Sequence, residues 1–150
     1  MNMSIENDFD EILKYAHFWN WTPDWNVVKT IYTHNPESYS VLTPFAYSYL
    51  EEMIRTTTSE YGSPLFLDDK PVTIKVGMAL ITLAKEENSQ NTEYVKLLDY
   101  IKSYFDKKNI YDGNGRNKVL HGHLHPRFWS KENFEKLIHD IAILSPYSKF

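Results

Sequence analysis

Apolar residues recur at steps of three or four over most of the chain, which is the spacing of amphipathic helices. This spacing predicts helices over five stretches: Ile5 to Trp19, Thr43 to about Glu60, Val72 to Glu87, Thr92 to Lys108 and Ser130 to Leu144. A shorter helix is predicted from Arg116 to His121, and Trp21 to Pro36 is interpreted as a short helix, with a strand as the alternative. Since no paired strands are evident, the predicted fold is all-α, an antiparallel bundle of five or six helices.

Residues that favour helix ends mark several of these boundaries. Thr43 offers a capping hydroxyl, and Pro44 follows it at a first-turn position where its missing N–H does no harm. Gly122 suits the left-handed residue that closes a helix, and Ser130 is a second capping hydroxyl. The sequence therefore predicts helix starts at Thr43 and Ser130.

The composition indicates one globular domain. The chain has 150 residues, 42% of them hydrophobic, and no cysteine, which excludes disulfides, Cys–zinc sites and thiol catalysis. No apolar run approaches the roughly 18 residues that span a bilayer, and the acidic first residues are not typical of a signal or transit peptide. We expect a cytoplasmic protein without membrane contact. Residues 43–145 are predicted to form the core bundle, and residues 1–42 a helical, aromatic extension.

Charge is distributed unevenly along the chain. Residues 1–100 carry 7 Lys and Arg against 15 Asp and Glu, whereas residues 101–150 carry 9 against 5. Between Lys107 and Lys131 there are six cations and one anion, Asp112. Such an asymmetry can mark a surface for an anionic ligand on an acidic body. The alternative is that the two regions simply pair with each other in the fold.

Residues 114–122 carry the motif that bears most directly on function. They read Asn-Gly-Arg-Asn-Lys-Val-Leu-His-Gly, with Arg116 and His121 separated by four residues and Asn117 directly after the arginine. This string resembles the Arg-x4–6-His signature of HEPN domains, a superfamily of helical-bundle nucleotide-binding proteins and RNases. The resemblance implies an HEPN-like domain of the stand-alone toxin or defence type, with Arg116, Asn117 and His121 as its catalytic residues.

A second match lies upstream, at Leu50-Glu-Glu-Met-Ile-Arg55. It resembles a Leu-Glu-x-x-x-Arg element on an early helix of some HEPN branches, and it makes Glu51 and Arg55 supporting residues of the site. The two are spaced i,i+4 and can pair on one helix face. The alternative is a solvated ion pair on the helix surface. The resemblance covers roughly residues 43–145, and the first 40 residues resemble no part of it.

The residue types fit metal-independent RNA cleavage. That reaction needs a base for the 2′-hydroxyl, an acid for the leaving 5′-oxygen and a cation for the phosphorane. His121 can serve in either proton transfer, and Arg116 has a planar fork that matches phosphate oxygens. On a regular helix the two Cα positions are about 140° apart, so a composite site across a two-fold axis suits the geometry better. The resemblance also implies a homodimer with facing motifs.

Polar residues around the motif complete the predicted site. Asn117 can hydrogen-bond the imidazole or the phosphate, and Lys118, His123 and Arg127 are expected to extend the cationic surface that binds RNA. His121, His123 and His125 alternate, but they fall on a predicted loop with few carboxylates nearby, so neither a metal site nor a cofactor is expected. Phe128 and Trp129 could stack on a base, but their position directly before the last helix favours a staple or core role.

Two functions from different classes follow from these observations. The first is an endoribonuclease of a toxin–antitoxin or phage-defence system, acting on RNA as a homodimer and controlled by a cognate antitoxin or other protein partner. The second is a non-catalytic helical interaction protein, such as an antitoxin-like or immunity-like binder. The intact Arg116-Asn117…His121 motif favours the first, and the acidic, aromatic N-terminal part favours the second.

Overall fold

A computed structural model describes residues 4–106, 125–126 and 129–150. Within these residues the chain forms six α-helices: α1 (Ile5–Tyr15), α2 (Thr22–His34), α3 (Tyr39–Arg55), α4 (Gly77–Glu87), α5 (Thr92–Ile101) and α6 (Lys131–Leu144). Short 3₁₀ turns follow or precede them at Pro36–Ser38, Lys102–Phe105 and Ser145–Tyr147. The predicted all-α bundle is confirmed.

The helices share one hydrophobic core. α1 packs against α6 and α2, α3 lies between α6 and α4, and α5 contacts α4 and α6. The largest fully buried side chains come from helices throughout the chain: Phe9, Trp25, Tyr47, Tyr49, Tyr104, Phe105 and Phe134. The first 42 residues thus contribute side chains to the same core as the later helices.

The predicted start of the third helix at Thr43 is wrong. The 3₁₀ turn Pro36–Ser38 runs directly into α3 at Tyr39, so Thr43 and Pro44 lie inside the helix. The Thr43 hydroxyl donates to the Tyr39 carbonyl at 2.7 Å instead of capping an N-terminus. Pro44 removes one N–H from the helical hydrogen bonds. The hydroxyl of the neighbouring Thr43 does not replace this donor, because it is bonded to the Tyr39 carbonyl.

α3 also ends earlier than the predicted Glu60, at Arg55. Three threonine hydroxyls in succession explain this end, since each donates to a carbonyl three residues before it. Thr56 bonds to Met53 at 2.6 Å, and the next two threonines repeat the pattern at 2.7 and 2.9 Å. Side-chain donors to the backbone compete with helix continuation in this way. The carbonyls of the last turn are therefore satisfied without a further helical turn.

Residues 61–76 differ most from the predicted fold, in which no strands paired. Phe66–Leu67 (β1) and Lys70–Pro71 (β2) form an antiparallel hairpin. Asp68 and Asp69 have φ values of 50° and 60°, which a two-residue turn of this kind requires at both central positions. The β-branched residues that follow remain extended, and α4 begins at Gly77 rather than at Val72 because Gly77 takes a φ of +58° there.

Of three other predicted boundaries, two differ from the structure and one is confirmed. α1 ends at Tyr15 rather than Trp19, because His17 Nδ1 accepts the N–H groups of Trp19 and Asn20 and holds a tight turn. α5 passes into a 3₁₀ turn at residue 102, before the predicted end at Lys108. The predicted cap of the last helix is confirmed, since Ser130 Oγ accepts the Asn133 N–H at 3.0 Å.

None of the helices within the described ranges is both long and apolar enough to cross a membrane.

Candidate functional site

Most of the predicted site lies outside the residues that the structure describes. Residues 107–124 and 127–128 are not described, and they include six predicted site residues: Arg116, Asn117, Lys118, His121, His123 and Arg127. The predicted helix over residues 116–121 lies there as well. The Arg–His motif therefore stays a prediction from the sequence, whereas Glu51 and Arg55 can be placed.

Residues 107–128 carry the Arg–His motif, and we call them the motif segment. This segment lies between two residues that are buried in the core. Phe105, the last residue of the 3₁₀ turn after α5, is buried, and so is Trp129, directly before α6. Trp129 also donates its N–H to the Pro126 carbonyl at 3.0 Å, and Ser130 then caps α6. The expectation that Trp129 is a core residue is confirmed. The segment thus leaves and rejoins the bundle at two fixed points.

Glu51 and Arg55 lie in the last turns of α3 and are buried. Their side chains are only 8% and 10% exposed, and Arg55 Nη2 lies 3.8 Å from Glu51 Oε1. Arg55 Nη1 donates to Glu52 Oε2 at 2.8 Å. The alternative of a solvated ion pair on the helix surface is therefore wrong. A buried charge of this kind needs its partners, because water does not replace them.

The same pair connects α3 to the start of α4. Arg55 Nη2 donates to the Lys75 carbonyl at 3.1 Å, and Glu51 Oε1 accepts the Gly77 N–H at 3.0 Å. The carboxylate sits where the helix dipole is positive, which stabilises the anion and satisfies one of the free N–H groups there. Arg55 Nε is buried and forms no hydrogen bond with any residue that the structure describes. The pair holds the end of the hairpin segment against α3.

A second polar cluster, in which Tyr104 and Asp140 are buried and Lys136 is partly exposed, joins the 3₁₀ turn after α5 to α6. Tyr104 donates its hydroxyl to Asp140 Oδ2, and Lys136 Nζ donates to the same carboxylate oxygen at 2.7 Å and to the Tyr104 hydroxyl at 2.9 Å. Asp140 is 3% exposed. The ammonium group also lies 4.9 Å from the ring centres of Tyr100 and Tyr104. We refer to Tyr104, Lys136 and Asp140 as the Tyr–Lys–Asp cluster.

Tyr104 and Lys136 both keep their protons around neutral pH. Burial raises the pKa of Tyr104 first of all, and the Asp140 carboxylate raises it further. Burial lowers the pKa of Lys136, but the hydrogen bonds and charge interactions with Asp140 and Tyr100 together outweigh this effect, and the net shift is upward. Burial and the same carboxylate raise the pKa of Tyr47. A neutral phenol and a charged amine are therefore held together, and neither exchanges a proton readily at neutral pH.

The cluster lies next in sequence to the motif segment. Tyr104 is three residues before residue 107, and Lys136 lies in the second turn of α6 beyond Trp129. Its chemistry favours positioning over proton transfer, because its tyrosine and lysine keep their protons around neutral pH. The cluster thus fixes the two elements between which the motif segment runs.

α6 forms further polar contacts with the N-terminal helices. The buried Asp8 of α1 lies 3.1 Å from His139 Nδ1, and Tyr32 of α2 donates to Glu135 Oε1 at 2.6 Å. Burial raises the pKa of Tyr32 first, and Glu135 adds to the shift through the hydrogen bond and its charge. These contacts fix the positions of α1 and α2 along α6.

Within the described residues, no group of three or more His, Cys, Asp or Glu side chains could hold a metal ion. His125 is described and exposed, while His121 and His123 lie outside the described residues. The alternating histidines are thus not placed relative to one another.

Sequence reasoning missed the Tyr–Lys–Asp cluster, although a signal for it exists. Asp140 lies within the apolar stripe of the last helix, between Leu137 and Ile141 and four residues after Lys136. A charged residue inside a buried stripe needs a partner. Lys136, four residues before Asp140, is the obvious partner, and Tyr104 could be found only from the fold.

No family model, curated protein or solved structure matches this chain.

Proposed function

We propose that this chain is a metal-independent endoribonuclease that acts as a homodimer. The observation that carries the proposal is the Arg116-Asn117…His121 motif, which resembles the HEPN signature, in a chain whose described part is a helical bundle. An all-α bundle is the architecture that the resemblance implies. The burial of Phe105 and Trp129 adds support, because a site on the intervening segment is then tethered at both ends.

Each motif residue has a defined role in the proposed reaction. His121 takes the proton from the ribose 2′-hydroxyl, whose oxygen attacks the adjacent phosphorus and displaces the 5′-oxygen. The His121 imidazolium then returns this proton to the leaving 5′-oxygen. The products are a 2′,3′-cyclic phosphate and a 5′-hydroxyl end. Arg116 stabilises the charge on the phosphorane, and Asn117 orients the imidazole or the phosphate. No redox step or metal is needed for this balance.

The surrounding residues have binding and positioning roles in this proposal. Lys118, His123 and Arg127 bind the RNA backbone through charge, as cations in such sites generally do. Glu51 and Arg55 act at a distance from the reaction, through the contact that holds α3 against the start of α4. We propose them as positioning residues.

The proposed homodimer supplies what one motif lacks. Arg116 and His121 point about 140° apart on a regular helix, so an arginine from one copy and a histidine from the other meet more readily across a two-fold axis. The proposed setting is the cytoplasm, as the toxin of a toxin–antitoxin pair or as a phage-defence effector. The cognate partner would then be an antitoxin that masks the cationic segment.

Expression in bacteria tests the activity. We expect the wild-type chain to arrest growth and fragment RNA, and His121→Ala to abolish both, because loss of a general acid–base residue typically costs about 10²–10⁴-fold in rate. The matched control is His34→Ala, which removes an exposed histidine that only hydrogen-bonds the Thr30 carbonyl of its own helix. Equal growth arrest from both variants would contradict the proposal.

Purified protein tests the role of the arginine and the metal independence. Arg116→Lys keeps the charge but loses the bidentate fork, so we expect a large fall in RNA cleavage with little change in melting temperature. Cleavage in EDTA should equal cleavage without it. Loss in EDTA with recovery on adding manganese would instead assign the alternating histidines to a metal site.

One observation favours the second candidate, a non-catalytic interaction protein. Phe18 and Trp19 are 79% and 75% exposed on the turn that His17 holds after α1. Exposed neighbouring aromatics are typical anchors of protein interfaces. If Arg116→Lys and His121→Ala leave the biological effect intact while Trp19→Ser abolishes it, the interaction protein is the correct function.

A further inference from the structure

The β1–β2 hairpin exposes three consecutive apolar side chains. Leu65, Phe66 and Leu67 are 78%, 63% and 64% exposed. Proteins usually cover or charge an apolar strand edge, because its free N–H and C=O groups pair with other strands. No described residue covers this edge, and its three apolar residues carry no charge.

The pairing of the hairpin determines which backbone groups are free. Val72 donates its N–H to the Leu65 carbonyl at 2.9 Å, and Leu67 lies opposite Lys70 beside the two-residue turn. Because hydrogen-bonded positions alternate along an antiparallel strand, the backbone N–H and C=O groups of residues 65 and 67 point toward β2. The N–H and C=O of Phe66 therefore face the open side of β1.

The two edges of the hairpin are not equivalent. Phe66 lies opposite Pro71, which occupies the outward-facing position of β2. Proline has no N–H, so β2 lacks the donor that another strand would need. The β1 edge offers both a donor and an acceptor, and it is the edge that can be extended.

We propose that this edge pairs with the same edge of a second copy of the chain, antiparallel and across a two-fold axis at Phe66. The Phe66 N–H of each copy then donates to the carbonyl of the partner's Phe66. The two hairpins form a four-stranded sheet with the strand order β2, β1, β1, β2. A closed two-fold contact of this kind needs a patch that is complementary to itself, and one donor and one acceptor on the same residue provide it.

The side chains support this register. With Phe66 opposite the partner's Phe66, each Leu65 lies opposite the partner's Leu67, so every pair formed by the three exposed residues is apolar. Directly opposed apolar side chains stabilise antiparallel sheets, and the two phenyl rings share one face while the leucines share the other.

Charge supports the antiparallel direction of the contact between the two copies. Asp68 and Asp69 form the hairpin tip, and in the antiparallel arrangement the two tips lie at opposite ends of the new sheet. Each tip then comes next to the partner's Pro64 and Ser63, which are neutral. A parallel arrangement would bring the four aspartates together. A register shifted by two residues toward the tip would place Asp69 against the partner's Leu65, and a shift in the other direction would place Pro64, which has no N–H, against the partner's Phe66. The inference does not rest on the proposed ribonuclease activity.

Introducing a positive or a negative charge at position 66 tests the contact. We expect Phe66→Lys and Phe66→Asp each to weaken self-association about tenfold or more, because like charges would lie directly opposite one another. Mixing the two variants should restore the complex as a heterodimer, which native mass spectrometry can identify. Val41→Lys is the matched control, since Val41 is 73% exposed on α3. Self-association that is unchanged in both Phe66 variants would overturn the proposal.

Crosslinking gives an independent readout that other interfaces do not affect. The chain has no cysteine, so Phe66→Cys introduces its only thiol. Opposed residues of an antiparallel pair lie within disulfide distance, and we expect rapid oxidation to a covalent dimer at position 66. Val41→Cys should oxidise much more slowly. Equal rates for the two variants, or a wild-type chain that remains monomeric at every concentration, would overturn the proposal.

Discussion

Burial determines how much a charged residue contributes to the stability of the fold, as two ion pairs in this chain illustrate. Arg55 and Glu51 are spaced i,i+4 with side chains 10% and 8% exposed, whereas Lys96 and Glu93 are spaced i,i+3 with side chains 74% and 73% exposed. Removing one member of a buried pair leaves the other charge unpaired where water cannot solvate it. In an exposed pair, water solvates the remaining charge instead.

We therefore predict that Arg55→Ala lowers the free energy of unfolding by about 3–5 kcal/mol, and that Lys96→Ala changes it by no more than about 0.5 kcal/mol. Urea denaturation followed by circular dichroism measures both values. Exposed ion pairs contribute less than about 1 kcal/mol to the free energy of unfolding. If Arg55→Ala lowered that free energy by no more than this, the contact between α3 and the start of α4 would not depend on this arginine.

The sequence could predict that Glu51 and Arg55 are neighbours but not that they are buried. Helical spacing alone brings the two side chains to one face. The burial depends on the segment after α3, which returns to place the Lys75 carbonyl and the Gly77 N–H against the pair. That return depends on a two-residue turn at Asp68 and Asp69, which are not residues of the strongest turn signals.

At the scale of the elements, α3 contains an interior proline. Pro44 is the sixth residue of the helix, so it cannot donate to the carbonyl four residues before it. The Thr43 hydroxyl is the nearest donor, and it is already bonded to the Tyr39 carbonyl. The helix therefore lacks one bond of its ladder close to its first turn.

We predict that Pro44→Ala raises the free energy of unfolding by about 1–2 kcal/mol. The gain from the restored bond, up to about 3 kcal/mol, is offset by the greater freedom of the unfolded chain, about 0.4–1 kcal/mol. Differential scanning calorimetry measures the change, and Ser48→Ala on the exposed face of α3 is the control. A lower melting temperature for Pro44→Ala would show that the proline ring packs too well to be replaced.

Long periodic segments were predicted as helices, and all of those in the described residues are helices. Their ends were predicted less well, because one side chain can take two roles. Thr43 could cap a new helix or bond within a running one, and the preceding 3₁₀ turn decides between them. The hairpin was missed because its strands are only two residues long.

At the scale of the whole molecule, buried tyrosines give the fold a limit at high pH. Burial is the largest cause that raises the pKa above 10.0 at five positions: Tyr32, Tyr47, Tyr49, Tyr94 and Tyr104. The pKa of Tyr94 rises to about 12. A group whose pKa is raised on folding contributes fully below its unfolded pKa, and its contribution is lost as the pH rises toward the folded value.

We predict a melting temperature that these tyrosines leave unchanged up to about pH 10 and that falls steeply above it. Above that pH each raised tyrosine removes about 1.4 kcal/mol per pH unit. Tyr94→Phe should therefore make the fall between about pH 10 and 12 shallower. Thermal melts with parallel absorbance of tyrosinate measure it, and an unchanged slope in Tyr94→Phe would contradict the assignment.

The sequence predicted the kind of molecule better than its polar core. Periodicity is enough for a helical bundle, since an amphipathic helix must bury its apolar face. The Tyr–Lys–Asp cluster depends instead on Tyr104 and Asp140, which are 36 residues apart and meet only after α5 and α6 have packed. The Arg–His motif lies outside the described residues, so its assignment still rests on the sequence.

The packing of α1 against α6 has a consequence for biosynthesis. Asp8 and His139 are 131 residues apart, and Tyr32 and Glu135 are 103 apart. While the chain is still on the ribosome and α6 has not emerged, the apolar faces of α1, α2 and α3 lack the helix that covers them. Contacts this distant in sequence slow folding and leave apolar surface open to aggregation. The bundle therefore completes its core only once α6 has emerged, and until then the nascent chain exposes the kind of apolar surface that chaperones bind.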